Sequence, residues 1–245
     1  MRRRLAAGLA ALGAVVAWGA AAQEAAPAAD ALRSPLCEPR RSDDRIEAPT
    51  ERGEIRLASG RVAKLAGIRW AEDPTHAQAG AAWLRSFRGS PVEISALASE
   101  PDRWGRLPAM IRVASDAGPI DLGRGLVAGG LAVVDAGEAD RLCQPELLEA
   151  EQRARELRLG LWRSDRYKPI AAAEVEMLRG RAGQFALIEG RIRSVGERRQ
   201  RTYLNFGADW NADFTITIPQ RTWRSMRERG LSASGCAASG FGRGA

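Results

Sequence analysis

Residue types able to do chemistry are few in this chain, and most of them are arginine. His76 is the single histidine, and the three cysteines (Cys37, Cys143 and Cys236) form no CxxC pair and no cluster with metal-ligand spacing. A zinc site and a Ser-His-Asp triad are therefore poor candidates, and His76 is expected at the surface where a helix opens. Asp102-Arg103-Trp104-Gly105-Arg106 sets an indole between two guanidinium groups. A guanidinium fork grips phosphate, and an indole stacks on a base. Two plainer roles stay open: Trp104 covering a small core, and Arg106 serving only the turn. Residues 191–201 are basic, with Tyr203 and Phe206 nearby. They form either a strand-binding face or a solvated hairpin.

These residues must be carried by a folded scaffold, and the composition provides for one. The chain has 245 residues, 45% hydrophobic and 27% charged, which excludes a fibrous or wholly disordered protein and suits one to two domains. Lys+Arg number 37 against 30 Asp+Glu, a net charge of +7, and only Lys64 and Lys168 are lysines. A mildly basic balance permits anionic partners without demonstrating them.

Arg2, Arg3 and Arg4 precede a small apolar run, and Ala20-Ala21-Ala22 fits a cleavage site. Residues 1–22 thus read as a secretory signal peptide, placing the mature protein in the periplasm or outside the cell. No later stretch is long and apolar enough to span a bilayer. Residues 23–46, rich in Ala, Pro and charge, read as a flexible arm.

Beyond the arm, strands are expected over 54–57 and 62–68, then a helix over 77–87 opened at Asp73-Pro74-Thr75. Strands over 92–97 and 109–113 flank a polar turn. A short helix over 120–128, a strand over 131–134 and an amphipathic helix over 145–159 follow. Such an order suits a small α+β barrel with helices on one side, spanning residues 47–163. Residues 164–182 read as a linker. Strands over 184–195, 202–206 and 213–218 with a helix over 219–229 form a smaller unit, residues 183–230. The tail, residues 231–245, carries no strand or helix signal. A unit of three strands lacks an expected closing strand, so the tail is either native or the product of a reading-frame slip, which would account for both features. It would also remove Cys236, leaving Cys37 and Cys143 to pair and clip the arm to the barrel.

Four motifs in order carry a family likeness: Val62-Ala63-Lys64-Leu65-Ala66-Gly67-Ile68-Arg69-Trp70-Ala71-Glu72, then Asp102-Arg103-Trp104-Gly105-Arg106, then residues 121–134, then residues 148–162 ending Leu159-Gly160-Leu161-Trp162. Together they resemble the thermonuclease (staphylococcal-nuclease-like) family over residues 52–162. The resemblance implies an OB-type five-stranded β-barrel with helices. Residues 190–195, 202–207 and 213–216 resemble, more loosely, an OB-like accessory domain that follows such nuclease domains.

The resemblance implies Ca²⁺-dependent phosphodiester hydrolysis, with carboxylates on the ion, a Glu activating water and two Arg on the phosphate. Glu72 falls on the catalytic Glu and Arg106 on one phosphate-gripping Arg. Lys64 replaces the other, keeping the charge but losing the fork. Arg69 stands where a metal-binding Asp is expected, and Gly53 stands at the other metal-binding Asp. A guanidinium about 4 Å from a divalent cation would be repelled by about 8 kcal/mol at an effective dielectric of 20. Glu72 can also be read as simply solvated before the helix start.

The expectation is an exported member with a degenerate metal site, holding no metal or cofactor. Lys64, Arg69, Arg103, Trp104 and Arg106 would bind nucleic acid or another anion, or the chain would serve an envelope protein partner. The alternative is an active nuclease that uses Glu72 and Arg106 with Ca²⁺ in an altered site.

Overall fold

The computed structural model describes residues 37, 39–135, 143–209, 211–228, 230 and 240–241. Its first part runs β1 (Arg40–Pro49), β2 (Ile55–Leu57), β3 (Val62–Leu65), β4 (Ile68–Trp70), α1 (Pro74–Arg85), β5 (Pro91–Ala96), β6 (Arg106–Val113), β7 (Ile120–Asp121), α2 (Leu122–Ala128), β8 (Ala132–Val134) and α3 (Glu146–Glu156). Two 3-10 turns, Gly160–Arg163 and Asp165–Tyr167, lead to β9 (Ile170–Ala171), α4 (Val175–Gly180), β10 (Ile188–Arg191), β11 (Ser194–Glu197), β12 (Arg201–Asn205), β13 (Thr215–Pro219), α5 (Gln220–Glu228) and β14 (Gly240–Phe241).

Five strands close into a barrel. β1 pairs with β2 and β5, β2 with β3, and β5 with β6, all antiparallel, while β3 closes the ring by parallel pairing with β6 from Val62 opposite Arg106 to Leu65 opposite Ala109. Alternation builds the core, as in β6, where Leu107, Ala109, Ile111 and Val113 are buried and the residues between them are not. Ile46, Ile55, Leu57, Leu65, Val92 and Ile94 join them, capped by Leu84 of α1, Leu122, Leu126 and Val127 of α2, and Leu147 of α3.

Local chemistry starts the helices where they are needed. Asp73 caps α1 by accepting from the His76 backbone N–H at 3.0 Å, and Pro74 fits the first turn, where its missing donor has no cost. Asp121 caps α2 in the same way through Arg124 N. Gly130, after α2, and Gly160, in the Gly-Leu-Trp turn, touch backbone to backbone. A Cβ on Gly130 would lie 2.2 Å from the Leu159 carbonyl oxygen, and Leu161 N donates to Gly130 O at 2.8 Å. Only glycine allows that approach.

Several boundaries differ from the sequence reading. Residues 40–46, placed in the flexible arm, are barrel strand: Arg40 lies opposite Ala96 and Arg45 opposite Pro91. Of the ten residues of β1 only Ile46 is fully buried, so its composition is that of a solvated segment. The strand expected over 62–68 is two strands, broken at Gly67, whose φ is +76°. Residues 164–182, read as a linker, hold a 3-10 turn, β9 and α4. Tyr167 is buried with Ala71, Val133, Leu161, Trp162 and Leu187.

The second unit is smaller than a barrel among the described residues. β11, β12 and β13 form an antiparallel sheet, and Trp223 of α5 packs on Ile192, Leu204 and Ile218. β10 belongs elsewhere, parallel to β9 and antiparallel to β14. Residues 240–241 of the tail, read as irregular, are therefore strand. The expected signal peptide, residues 23–36 of the arm, Cys236 and most of the tail lie outside the described residues. Cys37 and Cys143 are joined by a disulfide that spans 106 residues of chain. No helix among the described residues is long and apolar enough to cross a membrane.

Candidate functional site

The turn between β5 and β6 is organised by one carboxylate. Asp102 accepts from the backbone N–H groups of Trp104 and Arg106, both at 2.9 Å, and from Nε and Nη2 of Arg106 at 2.9 and 2.7 Å. The hydrogen bond from the Arg106 side chain, with help from those N–H groups, lowers the Asp102 carboxyl to about 2, and the same bond raises the pKa of Arg106. Arg106 Nη1 also reaches Glu54 Oε1 at 3.3 Å, and Thr50 Oγ1 donates to the other Glu54 oxygen at 3.2 Å. The guanidinium thus opens β6 in a fixed plane between two carboxylates.

Trp104 stands out from this turn, 58% exposed. The Arg103 guanidinium lies 3.9 Å from its ring centroid and that of Arg106 4.6 Å. Of the two roles open for Trp104, core cover does not hold. The exposed indole thus carries both guanidinium groups against its ring in a cation–π cluster. Lys64, on β3 opposite Pro108 of β6, is exposed and has no ion pair among the described residues.

Glu72 and Arg69 form a second group at the end of β4. Arg69 Nε donates to Asp135 Oδ2 at 2.8 Å, and its guanidinium lies 5.1 Å from the Phe185 ring centroid. Glu72 Oε2 accepts from Arg166 Nη2 at 2.7 Å, while Arg69 Nη1 lies 4.0 Å from Glu72 Oε1. The Tyr167 hydroxyl accepts from Glu72 N at 3.3 Å and donates to Asp73 Oδ2 at 3.2 Å. Burial raises the Tyr167 phenol above its ordinary pKa. Burial also pushes Asp73 upward, but hydrogen bonds from the His76 backbone and ring outweigh it, and the net shift is downward. His76, expected at the surface, is half-buried, with Nδ1 2.6 Å from Asp73 Oδ1.

Trp70 follows Arg69 on β4 and packs on Gly53, the neighbour of Glu54. A Cβ built on Gly53 would fall 2.3 Å from Trp70 Cε3, and one built on Gly80 2.7 Å from Trp70 Cη2. Gly53 also has a φ of +76°, which strains any other residue. The indole therefore takes the space that a side chain at position 53 would need. Among the described residues no group of three or more His, Cys, Asp or Glu is gathered to hold a metal ion.

Sequence reasoning missed Asp135, Arg166, Tyr167 and Phe185. The last three come from beyond the barrel strands, and no spacing rule connects residues so far apart. Tyr167 carried the one available signal: it is one of only two tyrosines and follows Leu-Trp closely.

Comparison with known families agrees with this architecture. Residues 76–164 match the family model of the staphylococcal nuclease homologue. The match covers just over a third of the chain, agrees with the closed five-stranded barrel with helices, and suggests a nuclease-like or nucleic-acid-binding role. The matched span contains Arg103, Trp104 and Arg106, and it begins after Gly53, Lys64, Arg69 and Glu72. No curated protein matches the chain.

Proposed function

We propose that this protein is an exported, non-hydrolytic derivative of a thermonuclease that binds single-stranded nucleic acid on its barrel. Lys64, Arg69, Arg103, Trp104 and Arg106 supply the binding face. The observation that carries this reading is Trp104, more than half exposed between Arg103 and Arg106. A base in a duplex is already stacked, so an outward indole favours unpaired strands.

Loss of hydrolysis is supported by the residues present, which do not fit a calcium ion. Calcium takes six to eight oxygen ligands, with carboxylates supplying the charge and carbonyls and waters the rest. Gly53 and Arg69 offer no carboxylate, Trp70 fills the space beside Gly53, and Glu72 is held by Arg166. Export is supported by the composition of residues 1–22 and by the Cys37–Cys143 disulfide, a bond that persists in oxidising compartments.

Retention of Glu72 and Arg106 favours one second reading, hydrolysis at an altered metal site. Incubating the purified protein with labelled single-stranded DNA, with Ca²⁺ or with chelator, separates the two. Binding that survives chelator without cleavage supports the first, and Ca²⁺-dependent cleavage supports the second.

A further inference from the structure

Two guanidinium groups from different parts of the chain converge on one carboxylate. Arg166, in the 3-10 turn Asp165–Tyr167, places Nη2 2.7 Å from Glu72 Oε2. Arg69, on β4, brings Nη1 to 4.0 Å from Glu72 Oε1. Each is steadied from behind. Asp135 holds Arg69 through Nε, leaving the Nη edge toward Glu72, and Phe185 lies against its guanidinium. The neighbour of Arg166, Tyr167, is anchored in the second core cluster, and Arg181 Nη2 donates to the Arg166 carbonyl at 2.9 Å, fixing its backbone.

All three members of the pair system are open to solvent. The side chains of Arg69, Glu72 and Arg166 are 45%, 37% and 37% exposed. Two forks closing on one oxyanion is the arrangement by which proteins recognise phosphate. A carboxylate offers two oxygens and one charge, which a phosphodiester matches and a free or terminal phosphate exceeds. Exposed ion pairs of this kind contribute little to stability, so Glu72 can turn aside at small cost.

We propose that Arg69 and Arg166 form a phosphate clamp in which Glu72 is a built-in stand-in that an incoming phosphate displaces. The clamp rests on the anion-binding role of Arg69 given above. It adds Arg166 to the site, and it makes Glu72 a competitor of the ligand.

The test is titration calorimetry on the purified protein with inorganic phosphate, and with a short oligothymidylate carrying or lacking a 5′-phosphate. Glu72→Gln should bind inorganic phosphate about tenfold more tightly, the effect of removing one close like charge. Arg166→Gln, alone or added to Glu72→Gln, should weaken it by a similar factor. Arg166→Lys, which keeps the charge and the fold but loses the fork, should fall between. Tightening with inorganic phosphate alone identifies a small free anion as the ligand. Tightening that needs the 5′-phosphate identifies a strand end, and tightening with both oligonucleotides identifies the backbone diester.

Unchanged or weaker phosphate binding by Glu72→Gln overturns the clamp, as does tight binding that persists without Arg166. If the clamp fails while Trp104→Ala still loosens the oligothymidylate, the strand-binding face stands by itself. If Glu72→Gln gains phosphate but no oligonucleotide binds any variant, the clamp stands and the strand-binding reading fails.

Discussion

The Trp70 indole occupies the space that any side chain at Gly53 would need, 2.3 Å from the position of a Cβ there. This single contact ties the composition of the site to the packing of the barrel. A large aromatic after Arg69 and a glycine at 53 require each other, and Gly80 on α1 completes the slot. Introducing a carboxylate at 53 is therefore a packing problem before it is a metal-binding one.

Gly53→Asp should be destabilising and should not create a calcium site. The positive φ costs about 1–2 kcal/mol for a residue with a Cβ, and overpacking against Trp70 adds about 1–3 kcal/mol. Urea unfolding with and without Ca²⁺ checks both points. The double variant with Trp70→Ala should cost less than the sum of the two single changes, because both act on one contact.

Glu151 should matter more to stability than its charge suggests. It is buried on α3, accepts from Val134 N at 2.6 Å and pairs with Arg155 Nη2 at 2.5 Å. Glu151→Ala leaves the Val134 N–H without its partner and leaves Arg155 with only Glu189, 3.6 Å from Nη1. The expected loss is about 1–3 kcal/mol, read as a shift of the urea midpoint.

Acid should loosen two surface turns. Asp102 is held at about 2 by Arg106, against an ordinary value of 3.8. Burial pushes Asp44 up, yet hydrogen bonds from Ser59, Arg45 N and Arg61 bring it to about 2 as well. Both carboxyls have folded values below unfolded ones, so their stabilisation is complete above about pH 4 and is lost as pH falls from about 4 to 2. Asp44→Asn and Asp102→Asn should each flatten the stability curve in that window and leave its slope near pH 7 unchanged. A thermal-melting series across pH reads this directly.

Reduction should cost the protein a large share of its stability. The Cys37–Cys143 bond closes a loop of 106 residues around the barrel, and loops near that length are stabilised by about 4–5 kcal/mol in the chain-entropy view. Cys143→Ser and reductant treatment should lower the melting temperature by the same amount, and reductant should then have no further effect on the variant.

The barrel was largely legible because its signals are local. Alternation marks β6, Asp73-Pro74 marks the start of α1, and Gly-Leu-Trp marks the turn after α3. β1 was hidden because six charged or polar residues precede its one fully buried position, Ile46. At the site, Asp102-Arg103-Trp104-Gly105-Arg106 was visible as a unit, since its hydrogen bonds close within five residues. The Glu72–Arg166 pair was not visible. Its partners are 94 residues apart, and only the packing of Tyr167 into the second core cluster brings them together.

The most direct test of nucleic-acid binding without hydrolysis follows one labelled single strand for both binding and cleavage, in Ca²⁺ and in chelator. Wild-type protein should bind in both conditions and leave the strand intact. Affinity should fall as salt rises, and Trp104→Ala should weaken it by about 1–3 kcal/mol. Ca²⁺-dependent cleavage that disappears in Glu72→Gln would contradict this and show that the barrel still hydrolyses its ligand.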